Sequence, residues 1–572
     1  MNIFYRKNEN DELFSQFLNN NILTNMQNYI PIYNKIFNLN EKNYNTINLN
    51  SKYCINYIKQ QISDNKFKVS VKDISDNIIE KNIFIKYSPI VDPCKYMLGK
   101  YDNSYNILTL PSFNNNDISL NNKINDINNA SYIDGFFSYL SSLLLHKYNI
   151  INGLDFYGSF ICVKNDFICN IEDDIEYIRD SSFFYNNIDT LFKFIDEKYL
   201  GVFNSSRSNK RVLKISNYLD ISLNNVMELC DISSYILETN DTLNSNDIEY
   251  IDLSFNKKNT HNSNNNSDNE SLSSRVSHTN SEKSNSNDSN DSNDSNDSNE
   301  TDNDELDNIS SNSSSKEEDD ENILIKIHKF PTQTIILECC DTTLDKYILS
   351  KNIPDNEWEA IMLQIIFTLI IYQKTFEFTH NDLHTNNIMY NTTEKKFIYY
   401  RYKNRHYKVP TYGKIYKIID FGRAIYKLKG EIYCSDSYSQ DGDAATQYNC
   451  EPYFNDNKPR VDPNYSFDLC RLGCSLFDYF IDELEDIKKI KSPIKKLLIN
   501  LVYDDNGKNI LYKNNGEERY PDFKLYKMIA RTVHNHEPCK ILSNNIFDKY
   551  LISKKKINSD NIINIDNLPI LS

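Results

Sequence analysis

Between Phe378 and Tyr390 the chain reads FTHNDLHTNNIMY, with Asp382 two places after His380 and Asn387 five places after Asp382. A carboxylate and a carboxamide at that distance let a loop turn between them, so that one faces a hydroxyl and the other a hard cation. The chemistry would be that of a magnesium-bound nucleotide and a hydroxyl losing its proton. Asn and Asp are abundant throughout this chain, so the same pattern also reads as one more polar loop. The elements around it have to decide.

Those elements are regular. From Pro354 onward Trp358, Ile361, Met362, Ile365, Ile366, Leu369 and Ile370 recur at helical spacing. They predict one long amphipathic helix, capped by Asp355 or Asn356, that leads straight into the motif. After it, NNIMY and KIYKIIDFG read as strands, with KKFIYYRYKNRHYKVPTYG between them as a hairpin turning at Lys403-Asn404. YSFDLCRLGCSLFDYFIDEL reads as a second buried helix. Upstream, NILIKIHKF and TQTIILECC have the branched apolar character of two strands joined by a Phe330-Pro331 turn. Residues 256–322, centred on SNDSNDSNDSNDSN, are too polar to offset their ordering entropy by burial and read as disordered.

A chain of 572 residues that is 39% hydrophobic can bury a sizeable core. Its formal charge of -17 is concentrated in residues 256–322, which hold 17 acidic against 5 basic residues. The overall acidity argues against non-specific nucleic-acid binding. Twelve cysteines occur without a C-x-x-C pair, and Cys470 and Cys474, one helical turn apart in an apolar run, read as buried free thiols. A reducing compartment follows. The opening MNIFYRKNENDELF lacks the apolar core of a signal peptide, and no apolar run approaches the roughly 18 residues needed to span a bilayer. The expectation is a soluble, intracellular protein without a membrane partner.

His380 to Asn387 meet the catalytic-loop pattern H-R-D-L-x-x-x-N except at Asn381, and Asp420, Phe421 and Gly422 meet D-F-G. DLCRLG, Asp468 to Gly473, resembles the helix that begins D-x-W-S-L-G and whose aspartate binds the catalytic loop's backbone. IILECCDTTLDKYI looks like a hinge strand. On these motifs the chain resembles protein kinases. Through YKVPTYGKIYKIIDFGRAIY, TQYNCEPYF and NYSFDLCRLGC it more closely resembles the serine/threonine kinases of large nucleocytoplasmic (giant) DNA viruses, over most of residues 80–550. The resemblance implies an α+β, two-lobed protein-kinase-like fold with long insertions, ATP and Mg2+ as cofactors, and a protein substrate. By the same resemblance Asp382 accepts or orients the hydroxyl proton, and Asn387 and Asp420 hold Mg2+. Leu337 is the gatekeeper, and Glu338 and Cys340 offer backbone groups to adenine. His384 stands where serine/threonine kinases usually carry a lysine that steadies the transferring phosphoryl group; haspin-like, choline and aminoglycoside kinases have similar loops.

The resemblance also asks for a glycine-rich loop, a strand lysine and a helix glutamate. Lys86 in KNIFIKYSPI is the preferred lysine, yet no glycine precedes Gly99. The helix NASYIDGFFSYLSSLLLHK has no glutamate, which leaves Asp134, with its shorter reach, as the partner. The rival assignment is Lys164 in YGSFICVK, paired with Glu172 or Glu176. In place of A-P-E stands CEPYF with Glu451. Ser435, Ser437, Tyr438, Ser439, Thr446 and Tyr448 in the activation segment read as a solvated polar loop, with phosphorylation as the alternative. Lys395, Lys396, Arg401, Lys403, Arg405 and Lys408 of the inserted hairpin, beside the expected site, read as solvated surface or as a contact for an acidic or phosphorylated substrate.

The resulting domain map has residues 1–75 as an unassigned extension and 76–344 as N-lobe and hinge, with an insertion over 166–325. Residues 345–550 form the C-lobe and 551–572 a tail. The expected function is a serine/threonine protein kinase. The alternatives are a pseudokinase scaffold, favoured by the missing glycines, and a small-molecule kinase of the choline or aminoglycoside kind.

Overall fold

Period-two alternation puts Phe67, Val69 and Val71 on one face of KFKVSVK and Ile83 and Ile85 on one face of IIEKNIFIKYSP, all of them buried, which suits antiparallel strands with one covered face. The computed structural model describes residues 5–7, 10–50, 52–73, 75–101, 106–113, 122–196, 198, 323–553 and 562–572. The tract 256–322, expected to be disordered, lies outside them. The fold is α+β. A seven-stranded antiparallel sheet is built from β1 (Leu23–Gln27), β2 (Cys54–Gln61), β3 (Lys66–Lys72), β4 (Ile78–Pro89), β5 (Phe156–Asn170), β6 (Phe192–Phe194) and β7 (Leu324–Glu338). Its order is β1-β5-β7-β4-β3-β2, with β6 added alongside β7. The boundary drawn at residue 75 falls in the turn between β3 and β4, which pair from Lys66↔Phe84 to Lys72↔Ile78.

The turn expected at Phe330-Pro331 is absent, because β7 runs straight through it as one strand paired with β5 from Gly158↔Ile336 to Asn170↔Leu324. Proline is tolerated there for a local reason. The Pro331 carbonyl accepts from Ile90 N, so its missing N–H falls on the same edge, in the gap where the β4 pairing has ended at Thr332 and the β6 pairing begins only at Ile327.

Helix α1 (Ala130–Tyr148) lies against this sheet, and its residues from Ser131 to Leu144 are buried without a break. Gly135 permits the close approach: a Cβ there would stand 2.3 Å from the Gln333 amide nitrogen on β7.

The remainder is mostly helical. After α2 (Leu344–Ser350), α3 (Asp355–Phe376) runs through the core, buried on nearly every face. That corrects the expectation of an amphipathic helix with a side-chain cap: Pro354 is the N-cap residue, without a side-chain hydrogen bond, and a helix apolar all round is a core helix. The same helix is long and apolar enough to cross a membrane, contrary to the expectation that no such run exists, but 94% of that stretch is buried inside the protein. Strands β8 (Ile388–Thr392) and β11 (Lys414–Ile418) pair from Ile388↔Ile418. Between them β9 (Phe397–Tyr402) and β10 (Arg405–Pro410) form the expected hairpin, whose turn residues Lys403 and Asn404 both have positive φ, 49° and 59°. Tyr400 stacks on Phe367 of α3 with ring centroids 4.1 Å apart, which seats the hairpin against the core helix. Helices α4 (Phe467–Phe480), α5 (Pro493–Asn500) and α6 (Lys524–Thr532) follow. Cys470 and Cys474 on α4 are buried, and neither is in a disulfide.

Candidate active site

The FTHNDLHTNN loop leaves the C-terminal end of α3 and is held by backbone hydrogen bonds to a buried carboxylate. Asp468, in the first turn of α4, accepts from His380 N at 3.0 Å and from Asn381 N at 2.8 Å. The His380 ring bridges the loop to the strand before DFG: its Nε2 donates to the Ile419 carbonyl at 2.9 Å, which leaves Nδ1 to accept from Asp382 N at 3.3 Å. Phe421 is buried among Phe137 of α1 and Phe378, with centroids 4.7 and 6.0 Å away. Asp420 takes up a left-handed backbone with φ 62°, an uncommon conformation that surrounding packing has to hold.

Lys86, from the middle of β4, lies between two carboxylates: its Nζ is 2.7 Å from Asp134 Oδ2 and 2.8 Å from Asp420 Oδ1. Asp134 also accepts from Phe421 N at 3.0 Å through Oδ1, so α1 is tied to the DFG segment by the same carboxyl that meets the lysine. The side chain is shorter than glutamate by one methylene, and Gly135 beside it brings α1 close to β7. Burial pushes the Asp134 carboxyl above its usual range, against the pull of Lys86. On Asp420, burial is outweighed by Lys86, which holds the carboxyl below its usual range. Lys164, the rival lysine, donates to its neighbour's carbonyl, Asn165 O, at 2.6 Å and lies over the Tyr87 ring.

Asn387 and His384 form a second group. Asn387 Nδ2 donates to the Asp382 carbonyl at 2.9 Å and lies 3.1 Å from His384 Nε2. A carbonyl can only accept, so the amide nitrogen faces it. Its second hydrogen then goes to His384 Nε2, which must be unprotonated, and the imidazole hydrogen sits on Nδ1. Two consequences follow: Asn387 Oδ1 is left as an oxygen acceptor, and His384 Nδ1 is a buried donor with no partner among the described residues. Burial lowers the His384 pKa to about 4, against the attraction of Asp382, so the ring is neutral near pH 7. Asn387 Oδ1 and the Asp420 carboxylate are hard oxygen donors of the kind Mg2+ takes. Two carboxylates facing one ammonium leave a negative excess that suits a cation.

Three residues that the sequence reading passed over surround Asp382. Tyr526 of α6 donates its hydroxyl hydrogen to Asp382 Oδ1 at 2.7 Å. Arg471 of α4, 2% exposed, places Nε 2.9 Å from the same tyrosine oxygen and 4.0 Å from Asp382 Oδ1. Arg423, directly after DFG, lies over the Tyr526 ring and pairs with Asp443 at 2.7 Å. Burial opposes ionisation of Asp382, but Arg423, His384, Arg471 and the Tyr526 hydrogen bond hold its pKa at about 2. One signal was available in the sequence: an arginine three residues after Asp468 in an otherwise apolar helix run is a buried charge in need of a partner. Nothing local marks Tyr526.

Leu337 is buried at the end of β7, opposite Phe84. Glu338 N donates to Asp155 O at 3.0 Å. The Glu338 carboxylate accepts from Lys417 Nζ at 2.5 Å, Asp155 N at 2.7 Å and Asn391 Nδ2 at 2.7 Å. Cys340 follows, 6% exposed, before Asp341 N donates to Tyr390 O. The activation segment is not the solvated loop expected. Ser435, Ser437, Tyr438 and Tyr448 are buried, because the Tyr438 hydroxyl donates to Arg423 O and the Tyr448 hydroxyl to Asn381 Oδ1, each at 2.8 Å. Ser439 is half-buried and Thr446 exposed. Asp436 joins the segment to the start of α1, accepting from Ala130 N at 2.9 Å and pairing with Lys123 at 2.5 Å. In the hairpin, Arg401 pairs with Asp566 and Arg405 with Asp548, and Lys408 lies over the Phe397 ring. Glu451 forms an exposed pair with Arg460 at 2.6 Å.

No family model matches the chain. It is 32% identical over 121 residues to a protein of Acanthamoeba polyphaga mimivirus named "Putative serine/threonine-protein kinase R301", covering 18% of this chain and 30% of that protein. It is 34% identical over 124 residues to a Dictyostelium discoideum protein named "Probable serine/threonine-protein kinase", covering 20% of this chain and 10% of that protein. The chain thus matches under a third of either relative's length. These partial, low-identity matches support a kinase-like family.

Proposed function

We propose that the chain is an ATP- and Mg2+-dependent serine/threonine protein kinase with a two-lobed kinase-like fold, the sheet with α1 forming the smaller lobe and the elements from α2 onward the larger. The observation that carries this reading is Lys86 held between Asp134 and Asp420, 2.7 and 2.8 Å away, in the same molecule that leaves Asn387 Oδ1 as an acceptor by using both amide hydrogens. The mimivirus relative supports kinship with giant-virus kinases.

On this reading Asn387 and Asp420 hold Mg2+, Lys86 meets the phosphates, and the segment from Leu337 to Cys340 receives adenine. Bound Mg-ATP supplies the phosphoryl group and a metal that neutralises its charge. The residues do the positioning. Asp382, ionised down to about pH 2 and with Oδ1 taken by Tyr526, offers Oδ2 to the acceptor hydroxyl. So low a pKa makes it a weak base, so it orients the hydroxyl and takes the proton late. His384 offers a neutral Nδ1–H where a lysine would bring a full charge.

A second reading, a scaffold that binds without transferring, has one observation in its favour. The β2–β3 turn, Ile62 to Asn65, has no glycine and is tied to β4 by Ile85 N donating to Asn65 O at 2.7 Å. A backbone held there has little freedom to close over phosphates. Calorimetric titration of ATP with and without Mg2+ tests the metal assignment. Asp420→Ala should abolish the Mg2+-dependent part of binding; unchanged Mg2+ dependence would contradict the site.

A further inference from the structure

The α6 helix that sends Tyr526 to Asp382 carries two cations on its next turn, Lys527 and Arg531. Arg531 is anchored at both ends of its guanidinium: one nitrogen donates to Lys527 O and another to Thr446 O of the activation segment, each at 2.7 Å. Thr446 precedes by two residues Tyr448, whose hydroxyl binds Asn381 beside Asp382. Both elements that carry the patch therefore touch the loop that holds the proposed base. Lys527 is half-buried, Arg531 is exposed, and Lys458 is an exposed third cation. Lys458 is set beside the same segment, its carbonyl accepting from Asn449 Nδ2 at 2.9 Å, and burial, then the charges of Arg531 and Lys458, lower the Lys527 pKa. Among the described residues no carboxylate forms an ion pair with any of them. Assembling like charges, one of them half-buried, without an acid between them costs free energy in the free protein, and an incoming anion would relieve it. The hairpin cations differ, since Arg401 and Arg405 already face acids of the chain.

Building on the kinase reading, we infer that Lys458, Lys527 and Arg531 form a subsite for an anionic side chain of the protein substrate, next to the acceptor hydroxyl. The ligand chemistry is a carboxylate or a phosphorylated residue; Arg531 supplies planar donors and the lysines point charges.

Fluorescently labelled serine peptides, identical except for flanking alanine, glutamate, phosphoserine or lysine, distinguish the cases. Their binding to the full chain is followed by anisotropy at low and high salt, and phosphate transfer to each is measured alongside. The glutamate or phosphoserine peptide should bind about five- to tenfold tighter than the alanine peptide, and lose that advantage in high salt. Whichever of the two gains more identifies the anion. Lys458→Glu with Lys527→Glu should invert the order in favour of the lysine peptide, and Lys458→Glu alone, at an exposed position, should narrow it. Arg531 is kept because it holds the activation segment. Equal binding of all four peptides, or an order that survives the charge reversal, would overturn the subsite. Binding that follows charge without transfer to any peptide would uphold the subsite and count against the kinase reading.

Discussion

A buried, neutral histidine at position 384 is a hydrogen-bond donor rather than a fixed charge, and its protonation is tied to folding. Its folded pKa is about 4, against the usual value near 6.5, because burial penalises the imidazolium. As pH falls, the unfolded chain takes up this proton first. The group's contribution to stability is therefore fully present above about pH 6.5 and lost between pH 6.5 and 4, amounting to roughly 3 kcal/mol over the window. The stability difference between pH 7 and pH 4.5, from denaturant melts, should be larger for wild type than for His384→Asn; an equal difference would mean that His384 does not titrate with folding. Asp382, Asn387 and Asp420 were legible in the sequence as residue types at fixed spacing. The tautomer of His384 was not, because it depends on which way the Asn387 amide points.

At the scale of elements, the ion pair at Lys86 depends on how closely α1 approaches β7. The sequence offered Asp134 for want of a glutamate, and the residue beside it, Gly135, brings α1 close to β7. Gly135→Ala would place a methyl 2.3 Å from the Gln333 amide, which is itself held by a 2.7 Å bond to Ser159. Relieving that clash should cost about 1–3 kcal/mol and draw Asp134 away from Lys86 and Phe421 N. We expect a lower Tm together with weaker ATP binding; a Tm loss with unchanged ATP binding would separate α1 packing from the site. Local pattern located α1, β4 and the hairpin turn at Lys403-Asn404. It failed at Pro331, whose tolerance depends on a gap between two strands remote in sequence. It failed again at the activation segment, whose polar residues are buried by partners on the catalytic loop and α1.

For the whole molecule, the long low-complexity tract sits between Lys198 and Ile323, in the chain that connects β6 to β7, and 256–322 lies outside the described residues. Shortening a long loop changes its closure entropy by only about (3/2)RT times the logarithm of the length ratio, roughly 0.6 kcal/mol per halving. Deleting 256–322 should leave Tm nearly unchanged and retain nucleotide binding; global unfolding would show that the tract is part of the core. The domain map is where sequence reading reached least far. The boundary at 75 falls in the turn between two paired strands of one sheet, and Tyr526 meets Asp382 at a sequence separation of 144. The most direct test of the account is transfer of radiolabelled phosphate from ATP to serine-containing acceptors by the full chain. Wild type should transfer, and Asp382→Ala should retain ATP binding while losing transfer by about 100-fold or more. Comparable transfer by wild type and Asp382→Ala would contradict the proposed site.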